Sequence, residues 1–441
     1  MRITHITPHL GGGVGRVILS WIKRAMEITG EEHEILCLED ANPASVKDAS
    51  ESSIPLLDLM DSKADQLSEK IEQTDIVVMH WWNHPRLYNL MVNKPLPPCR
   101  LILWSHVSGI YPPHIFTDRL LEFPDRFIVS TPFSFESDVI VELDPGKRDR
   151  LGLVFTCAGT ERVSDVQPVQ HEGLVVGYIG TVDFCKMHPS FVKMSAAVRV
   201  PDVRFVVCGG NMQNQLREQA VKLGVEDRFV FTGPVDNIKD YLSTFDVFGY
   251  PLRPDHYGTG EQALIEAMAA GLPVVAFSHG AESHLVENGR TGIKVKWETE
   301  YIQALEILLS NASLRKQLGQ NAKKAAMERF DLDKMVRSWS DQFCNLFKSS
   351  KKIHRWSTTG KLTGAQLYIE SLGEAAEHFR KSVSCTGKEK EEAELAISRL
   401  DGCFRSMTRG SPFHYRSVFN DDPYLENWCR LLENKDGDHE L

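Results

Sequence analysis

The chain has 441 residues, with Lys+Arg 50 against Asp+Glu 60 and a formal net charge of -10. That length exceeds one ordinary core and predicts two or three domains, while the acidic balance argues against a nucleic-acid partner, which needs a dense basic surface. Nine cysteines, odd in number and never paired at metal-ligand spacing, read as reduced thiols. The absence of a basic-flanked apolar leader, or of any run of about 18 to 20 apolar residues, predicts a cytoplasmic chain that does not span a membrane.

Short β-rich runs open the chain: "RITHIT" at 2–7, "EILCL" at 34–38, "DIVVMH" at 75–80, "RLILWSH" at 100–106 and "RFIVST" at 126–131. Helix-compatible or turn-rich segments separate them, the pattern of a parallel sheet with crossover helices. "GLVVGYIG" (173–180), "VRFVVCGG" (203–210), "RFVFTG" (228–233), "DVFGYP" (246–251) and "LPVVAF" (272–277) repeat the scheme. The polar stretch 158–173 between the two series is the best connector. Strand signals stop near residue 330, and "FDLDKMVRSWSDQFCNLFK", "TGAQLYIESLGEAAEHFRKSV" and "KEKEEAELAISRLDGCFRSM" have helical spacing.

The predicted organisation is an α/β chain with an N-terminal domain over 1–165, a second over 170–332, a helix over 333–350 that crosses back to the first, and a helical appendage over 351–441.

Ligands of open α/β sheets bind beyond the carboxyl ends of the strands. "GGGVGR", Gly11 to Arg16, follows the first strand and is either a tight strand-to-helix turn or a place where backbone meets a phosphate. "HYGTGEQALIEAMAAGLPVVAF" (256–277) places Gly258 and Gly260 before a helix whose first amides, of Glu261, Gln262 and Ala263, lack intrahelical partners and favour a diphosphate. Glu266 lies mid-helix among small residues, where a carboxylate either faces solvent or holds a ribose diol. His106 is either an acceptor-side group or a core-edge histidine. In "HWWNHP" (80–85), buried tryptophan packing is preferred to a sugar-stacking face.

From Gly173 to about Trp339 the chain resembles the nucleotide-sugar domain of the retaining family 4 glycosyltransferases, also termed glycosyl transferases group 1. The matching pieces are "VVGYIGTVDFCKMHP", "VRFVVCGG", "VEDRFVFTGPV", "EQALIEAMAAGLPVVAF", "HGAESHLVENGRTG" and "ERFDLDKMVRSW", in matching order and spacing. The first half fits more loosely, through its glycine loop, "LWSHVSG" and "CAGTE". The resemblance implies a GT-B fold of two Rossmann-like domains facing a cleft. It also implies transfer of a sugar from a nucleotide diphosphate donor, with retention, to a glycan or lipid-linked acceptor in polysaccharide or lipid-linked glycan assembly.

By the same resemblance Glu266 holds the ribose, Lys186 the diphosphate, and Gly210 and Val235 line the base pocket. Gly12 and Gly13 approach the phosphates, His106 sits beside the transferred sugar, and Thr259, Gly260 and Gln262 complete the donor loop.

The chain departs from the family at two places. The motif has two glutamates eight positions apart, and eight before Glu266 stands Gly258. Glu261, Asp255 or His256 could substitute, with Glu261 preferred. The arginine that accompanies the lysine is replaced by Thr181, and Arg253 could restore its charge. No cofactor or metal is expected, since protein cations can balance the departing diphosphate.

The expected partners are the donor, the acceptor, a peripheral surface at the inner face of the membrane, and a protein bound by the appendage. The competing readings are a nucleotide-sugar epimerase, a phosphorylase, and a non-catalytic nucleotide-sugar-binding or scaffolding protein. A Rossmann dehydrogenase is disfavoured because "GGGVGR" does not complete the dinucleotide fingerprint.

Overall fold

The computed structural model describes residues 1–356, 358 and 360–433. Ser357, Thr359 and the last eight residues of the predicted appendage lie outside the described residues. The chain divides into two compact units: 1–130, 134–154 and 336–441 form the first, and 131–133 with 155–335 form the second.

Unit 1 is built on a seven-stranded parallel sheet in the order β3-β2-β1-β4-β5-β6-β7. Its strands are β1 (Arg2–Thr7), β2 (Glu32–Cys37), β3 (Leu56–Leu57), β4 (Ile76–Trp81), β5 (Leu101–Ser105), β6 (Arg126–Val129) and β7 (Leu151–Leu153). Every residue of β4 and β5 is buried, as expected of parallel strands covered on both faces. The helix Gly12–Thr29 packs through Val17, Ile18, Trp21, Ile22 and Ala25. Gly30, at φ 69°, supplies the left-handed residue that ends it. Trp21 stacks on Trp339 of the helix Leu332–Phe347, with ring centroids 4.5 Å apart.

The helices of the appendage belong to the same unit. Gly364–Leu372 starts on a capping box made by Thr363 and Gln366, which satisfies two first-turn donors. Gly373 turns the chain at φ 50°, so the single helical pattern over 363–383 is split into Gly364–Leu372 and Glu377–Ser384. Tyr368, Phe379, Tyr415 and Trp428 form the buried centre of the appendage. Asn83, after β4, donates to Ser371 Oγ at 3.1 Å and accepts from Tyr415 Oη at 2.7 Å.

His354 ties the start of this segment down. Its Nδ1 faces the Phe123 carbonyl at 2.8 Å, and its Nε2 faces both the Cys99 carbonyl at 3.2 Å and Asp125 Oδ2 at 3.3 Å. All three partners are acceptors, so the ring is best satisfied with both nitrogens protonated. Burial opposes that charge, but the hydrogen bonds to Asp125 and Cys99 outweigh it and raise the pKa to about 10.

A folded pKa above the unfolded value of about 6.5 gives stability that is complete below pH 6.5 and is lost as pH rises toward 10. Unit 1 is therefore expected to lose stability over that window, and His354→Gln should flatten the decline. Urea unfolding followed by tryptophan fluorescence checks this, because Trp297 is the only tryptophan outside unit 1.

Unit 2 has a six-stranded parallel sheet in the order β10-β9-β8-β11-β12-β13. The strands are β8 (Leu174–Ile179), β9 (Val203–Cys208), β10 (Phe229–Gly233), β11 (Val247–Tyr250), β12 (Val274–Phe277) and β13 (Gly292–Val295). The stretch 158–173, read from composition as a connector, packs within this unit. Val163 and Val166 are buried, Val169 donates its amide to the Ser243 carbonyl, and Asp165 pairs with Lys239 at 2.8 Å.

The helix Gln262–Ala269 ends at Gly271, whose φ of +89° suits glycine. Gly319, in the helix Ala312–Arg329, lets that helix pass close to the chain at Gly271. A Cβ on Gly319 would stand 2.1 Å from the Gly271 carbonyl oxygen.

Candidate functional site

Each sheet has one point where the strand order reverses, between β1 and β4 in unit 1 and between β8 and β11 in unit 2. Loops splay apart at such points and leave a crevice beyond the carboxyl ends. The glycine loop follows β1 and "HWWNHP" spans the end of β4. Lys186 follows β8, and the 251–261 segment follows β11.

In unit 2 the loop after β8 is held by a short antiparallel contact, Met187 with Leu252, and His188 donates its amide to the Pro251 carbonyl at 3.0 Å. This brings Lys186 against the loop after β11, where its Nζ lies 2.9 Å from Glu261 Oε2. Tyr250, the last residue of β11, donates its hydroxyl to the same oxygen at 2.5 Å. Glu261 is 3% exposed, and its other oxygen, Oε1, is buried with no hydrogen-bond partner. Burial would raise the pKa of this carboxyl, but the charges of Lys186 and His256 and the Tyr250 hydrogen bond hold it below its ordinary value. It is an ionised acceptor with one oxygen hydrogen-bonded and the other buried and unpaired.

Glu261 reaches this place at a conformational cost. Its φ is 26°, in the left-handed region that non-glycine residues rarely adopt, a strain of order 1–3 kcal/mol. Gly258 makes room for it: a Cβ there would lie 2.0 Å from Glu261 Oε1. The Glu261 carboxylate thus fills the space that a side chain at position 258 would enter.

The neighbouring charges are paired. His256, fully buried, lies 3.1 Å from Glu282 Oε2, and its Nδ1 accepts from the Gly258 amide at 3.0 Å. Burial works against its charge, yet the attraction of Glu282 raises its pKa. Arg253 grips Asp255 with Nε and Nη2, at 2.5 and 2.8 Å, and donates from Nη1 to the Phe184 carbonyl at 2.8 Å. Asp255 and His256 are therefore both engaged, and Glu261 keeps the open oxygen.

Glu266 is 5% exposed, so it is a buried residue of its helix and not a solvated one. Leu264 and Ile265 donate to the Glu261 carbonyl, which leaves the Gln262 and Ala263 amides ahead of the first helical hydrogen bonds. The Gln262 side chain clamps the chain leaving β7. It donates to the Thr156 and Gly260 carbonyls at 3.1 and 2.9 Å and accepts from the Ala158 amide at 2.9 Å. Thr259 is buried, with its hydroxyl 2.9 Å from that of Thr131. A Cβ on Gly260 would meet Thr156 Oγ1 at 2.6 Å, so this glycine permits a close approach. Gly210 and Val235 stand after the carboxyl ends of β9 and β10. Tyr250 and Glu282 were not among the expected site residues; the conspicuous feature of each was only a polar group beside an apolar run.

In unit 1, three of the four loop glycines, Gly12, Gly13 and Gly15, differ in what they do. A Cβ on Gly15 would stand 2.4 Å from the Leu10 carbonyl oxygen, whereas Gly12 and Gly13 face open space. Gly12 has φ +63°. Gly15 is thus required by packing, Gly12 by its backbone conformation, and Gly13 leaves the loop surface bare. Trp81 is fully buried, as preferred from sequence, while Trp82 is half-buried with its ring 5.4 Å from that of His9. His106 follows β5 and is partly exposed; burial of its ring pushes its pKa down to about 3.

Among the described residues no group of three or more His, Cys, Asp or Glu side chains stands where it could hold a metal ion. No helix among them is long and apolar enough to cross a membrane.

Residues 160–325 match the family model described as glycosyl transferases group 1. A D-inositol 3-phosphate glycosyltransferase of Stackebrandtia nassauensis is 26% identical over 246 residues, covering 49% of this chain and 54% of that protein. An N-acetyl-alpha-D-glucosaminyl L-malate synthase of Bacillus anthracis is 26% identical over 154 residues, 34% of this chain and 39% of that protein. The chain thus spans about half or less of the length of these curated relatives.

Among solved structures, HepE of Anabaena in complex with UDP and glucose superposes with a TM-score of 0.63 at 16% identity, over 78% of this chain and 100% of that one. A glycosyltransferase of Rickettsia africae gives 0.65 at 15% identity, over 79% and 99%. The two parallel α/β sheets are those of the GT-B fold.

Proposed function

We propose that this GT-B chain, whose residues 160–325 carry a glycosyl transferases group 1 domain, transfers a sugar from a nucleotide diphosphate sugar to a hydroxyl of a glycan or lipid-linked acceptor, with retention at the anomeric carbon. The observation that carries this reading is the buried Lys186–Glu261–Tyr250 cluster at the reversal point of the unit 2 sheet, with Glu261 Oε1 left open. A UDP sugar is the preferred donor, by analogy with the complex named for HepE.

As the glycosidic bond to the diphosphate breaks, negative charge grows on the leaving oxygen and positive character on the sugar. Stabilisation counts only where it is stronger in that state than in the ground state. Lys186 and the amides at the start of the helix Gln262–Ala269 supply fixed positive potential toward the diphosphate, and they need no reorganisation when the charge appears. Lys186 Nζ pairs with Glu261 Oε2 and is the cation of the cluster. Glu261 Oε1 accepts a hydroxyl of the transferred sugar, and Glu266 holds the ribose. Gly210 and Val235 line the base. Within unit 1, Gly12 and Gly13 offer bare loop backbone suited to a phosphate, and His106 offers an acceptor suited to a hydroxyl. Protein cations balance the departing charge in this scheme.

Glu266→Gln tests the donor end. A carboxylate-to-hydroxyl hydrogen bond contributes about 1.5 to 3 kcal/mol, so UDP affinity should fall by roughly tenfold to a hundredfold with the melting temperature of the free protein little changed. Calorimetric titration with UDP, GDP and ADP measures both the base preference and the loss. Wild-type protein that binds none of the three would end the reading, and unaltered affinity in the variant would remove Glu266 from the site.

A further inference from the structure

Four histidines cross the unit 1 sheet in a continuous line. His33 Nδ1 lies 2.8 Å from His5 Nε2, His5 Nδ1 lies 3.0 Å from His80 Nε2, and His80 Nδ1 lies 2.9 Å from His106 Nε2. Strand register explains the line. His5 sits opposite Ile35 of β2 and Val78 of β4, and His80 sits opposite Trp104 of β5. His33 is therefore two residues behind register, His80 two ahead, and His106 two ahead again. A step of two keeps every ring on one face of a pleated sheet. The chain of rings climbs from the amino end of β2 to beyond the carboxyl end of β5.

His5, His33 and His80 are buried. Successive ring planes are inclined by only 18°, 26° and 19°, and the line is covered by aromatic rings. Trp21 lies 5.0 Å from His5 and 6.0 Å from His33, and Trp104 lies 5.4 Å from His80 and 4.4 Å from His106. Burial pushes the pKa values of His5 and His80 far down, with neighbouring rings adding to the effect, so these rings stay neutral.

The three contacts engage every ring nitrogen except His33 Nε2 and His106 Nδ1. At the first end, His33 Nε2 faces Glu31 Oε2 at 3.6 Å, and neither atom has any hydrogen-bond partner. Burial opposes the Glu31 charge, but the nearby His33 ring, with Thr29 and the hydrogen bond from Ser340, outweighs it and holds its pKa below the ordinary value.

We infer that Glu31 fixes the tautomer of His106 through this line, so that His106 Nδ1 is presented as a hydrogen-bond acceptor for a substrate hydroxyl. An ionised carboxylate can only accept, so a neutral His33 turns Nε2–H toward it and accepts at Nδ1. His5 then donates from Nε2 and accepts at Nδ1, His80 does the same, and His106 donates from Nε2 to His80. One lone pair is left at His106 Nδ1. A neutral line of opposite polarity would aim two lone pairs, those of His33 and Glu31, at each other in a buried place. Glu31, His33, His5 and His80 are positioning residues, and His106 is the group that meets the ligand. The part of this inference that concerns substrate rests on the transferase reading above.

The test begins with the full chain labelled with 15N histidine, each ring assigned by substitution. In wild type, the one-bond and two-bond nitrogen–proton couplings should report the Nε2–H tautomer at His5, His33, His80 and His106. In Glu31→Gln the end group can donate as well as accept, so His106 should become a mixture of tautomers while near-ultraviolet circular dichroism keeps the native signal. A His106 ring carrying its proton on Nδ1 in wild type, or one unaltered by Glu31→Gln, would overturn the coupling.

Transfer assays form the second arm. Glu31→Gln should lower kcat/KM by about fivefold to tenfold, the worth of one hydrogen bond, with UDP affinity unchanged. A mixed His106 ring with unchanged kcat/KM would overturn its role toward substrate. Wild-type protein without transferase activity would overturn the transferase reading, while the nitrogen spectra still decide the coupling.

Discussion

Lys186→Ala is expected to destabilise unit 2 by about 3–5 kcal/mol, far more than a surface lysine, whose loss is typically within about 0.5 kcal/mol. The reason is what remains behind. The Glu261 side chain is fully buried, the Lys186 side chain is 14% exposed, and the two form an ion pair at 2.9 Å. Removing the cation leaves a buried carboxylate with Tyr250 as its hydrogen-bond donor and His256 as the nearest other positive influence. Glu261 must then bind a proton to relieve the cost, so the variant should lose more stability at pH 8 than at pH 5.

Adding Glu261→Gln to Lys186→Ala separates the structural role from the binding role. A neutral amide costs much less to bury alone than a carboxylate, so the double variant should recover much of the stability. It should not recover affinity for UDP, because the cation that meets the diphosphate is still missing. Uridine, which has no diphosphate, should bind wild type, single and double variants alike. Differential scanning calorimetry and titration with the two ligands, on all three proteins, give the values needed. A loss of stability below about 0.5 kcal/mol in Lys186→Ala, or equal loss of uridine and UDP binding, would sink the assignment.

The ten apolar runs that predicted strands all became strands, because parallel strands buried on both faces must be continuously apolar and β-branched. Three strands escaped detection. Leu56–Leu57 has only two residues, Leu151–Leu153 carries a central glycine, and Gly292–Val295 reads "GIKV". Their pairing comes from the neighbouring strand and not from their own pattern.

The site was legible to a similar depth. Sequence placed Lys186 after a strand and Glu261 at a helix start, but the contact between them depends on Met187 pairing with Leu252, a tertiary fact. The histidine line was less visible still. His80 looks like an isolated polar residue in an apolar run, His5 follows a threonine and His33 sits among glutamates, and only strand order and a two-residue stagger bring them into one row. One histidine on each of several consecutive buried strands was the available signal.

Gly258→Glu, which restores a glutamate eight positions before Glu266, should be strongly destabilising by itself. The new Cβ would stand 2.0 Å from Glu261 Oε1 and 3.0 Å from His256 Nδ1. Overpacking of this kind costs about 1–3 kcal/mol, and a second carboxylate beside a buried one adds the cost of keeping like charges together or of protonating one. The obstacle is not the backbone, since Gly258 is absent from the glycines with positive φ. The obstacle is Glu261.

Gly258→Glu with Glu261→Gly should therefore do better than Gly258→Glu alone. Removing the Glu261 side chain opens the space, and glycine accepts the φ of 26° without the strain that glutamate bears there, a gain of order 1–3 kcal/mol. Glycine is also tolerated ahead of a helix start. A carboxylate would then enter the same volume from position 258 and face Lys186. UDP-sugar affinity should be lost in the single variant and return to within about tenfold of wild type in the double, the difference that one neutral hydrogen bond can make. Thermal unfolding and donor titration of wild type, Gly258→Glu, Glu261→Gly and the double variant form a complete cycle. A single Gly258→Glu variant as stable as wild type, or a double variant no better than the single, would show that the two positions do not share one carboxylate site.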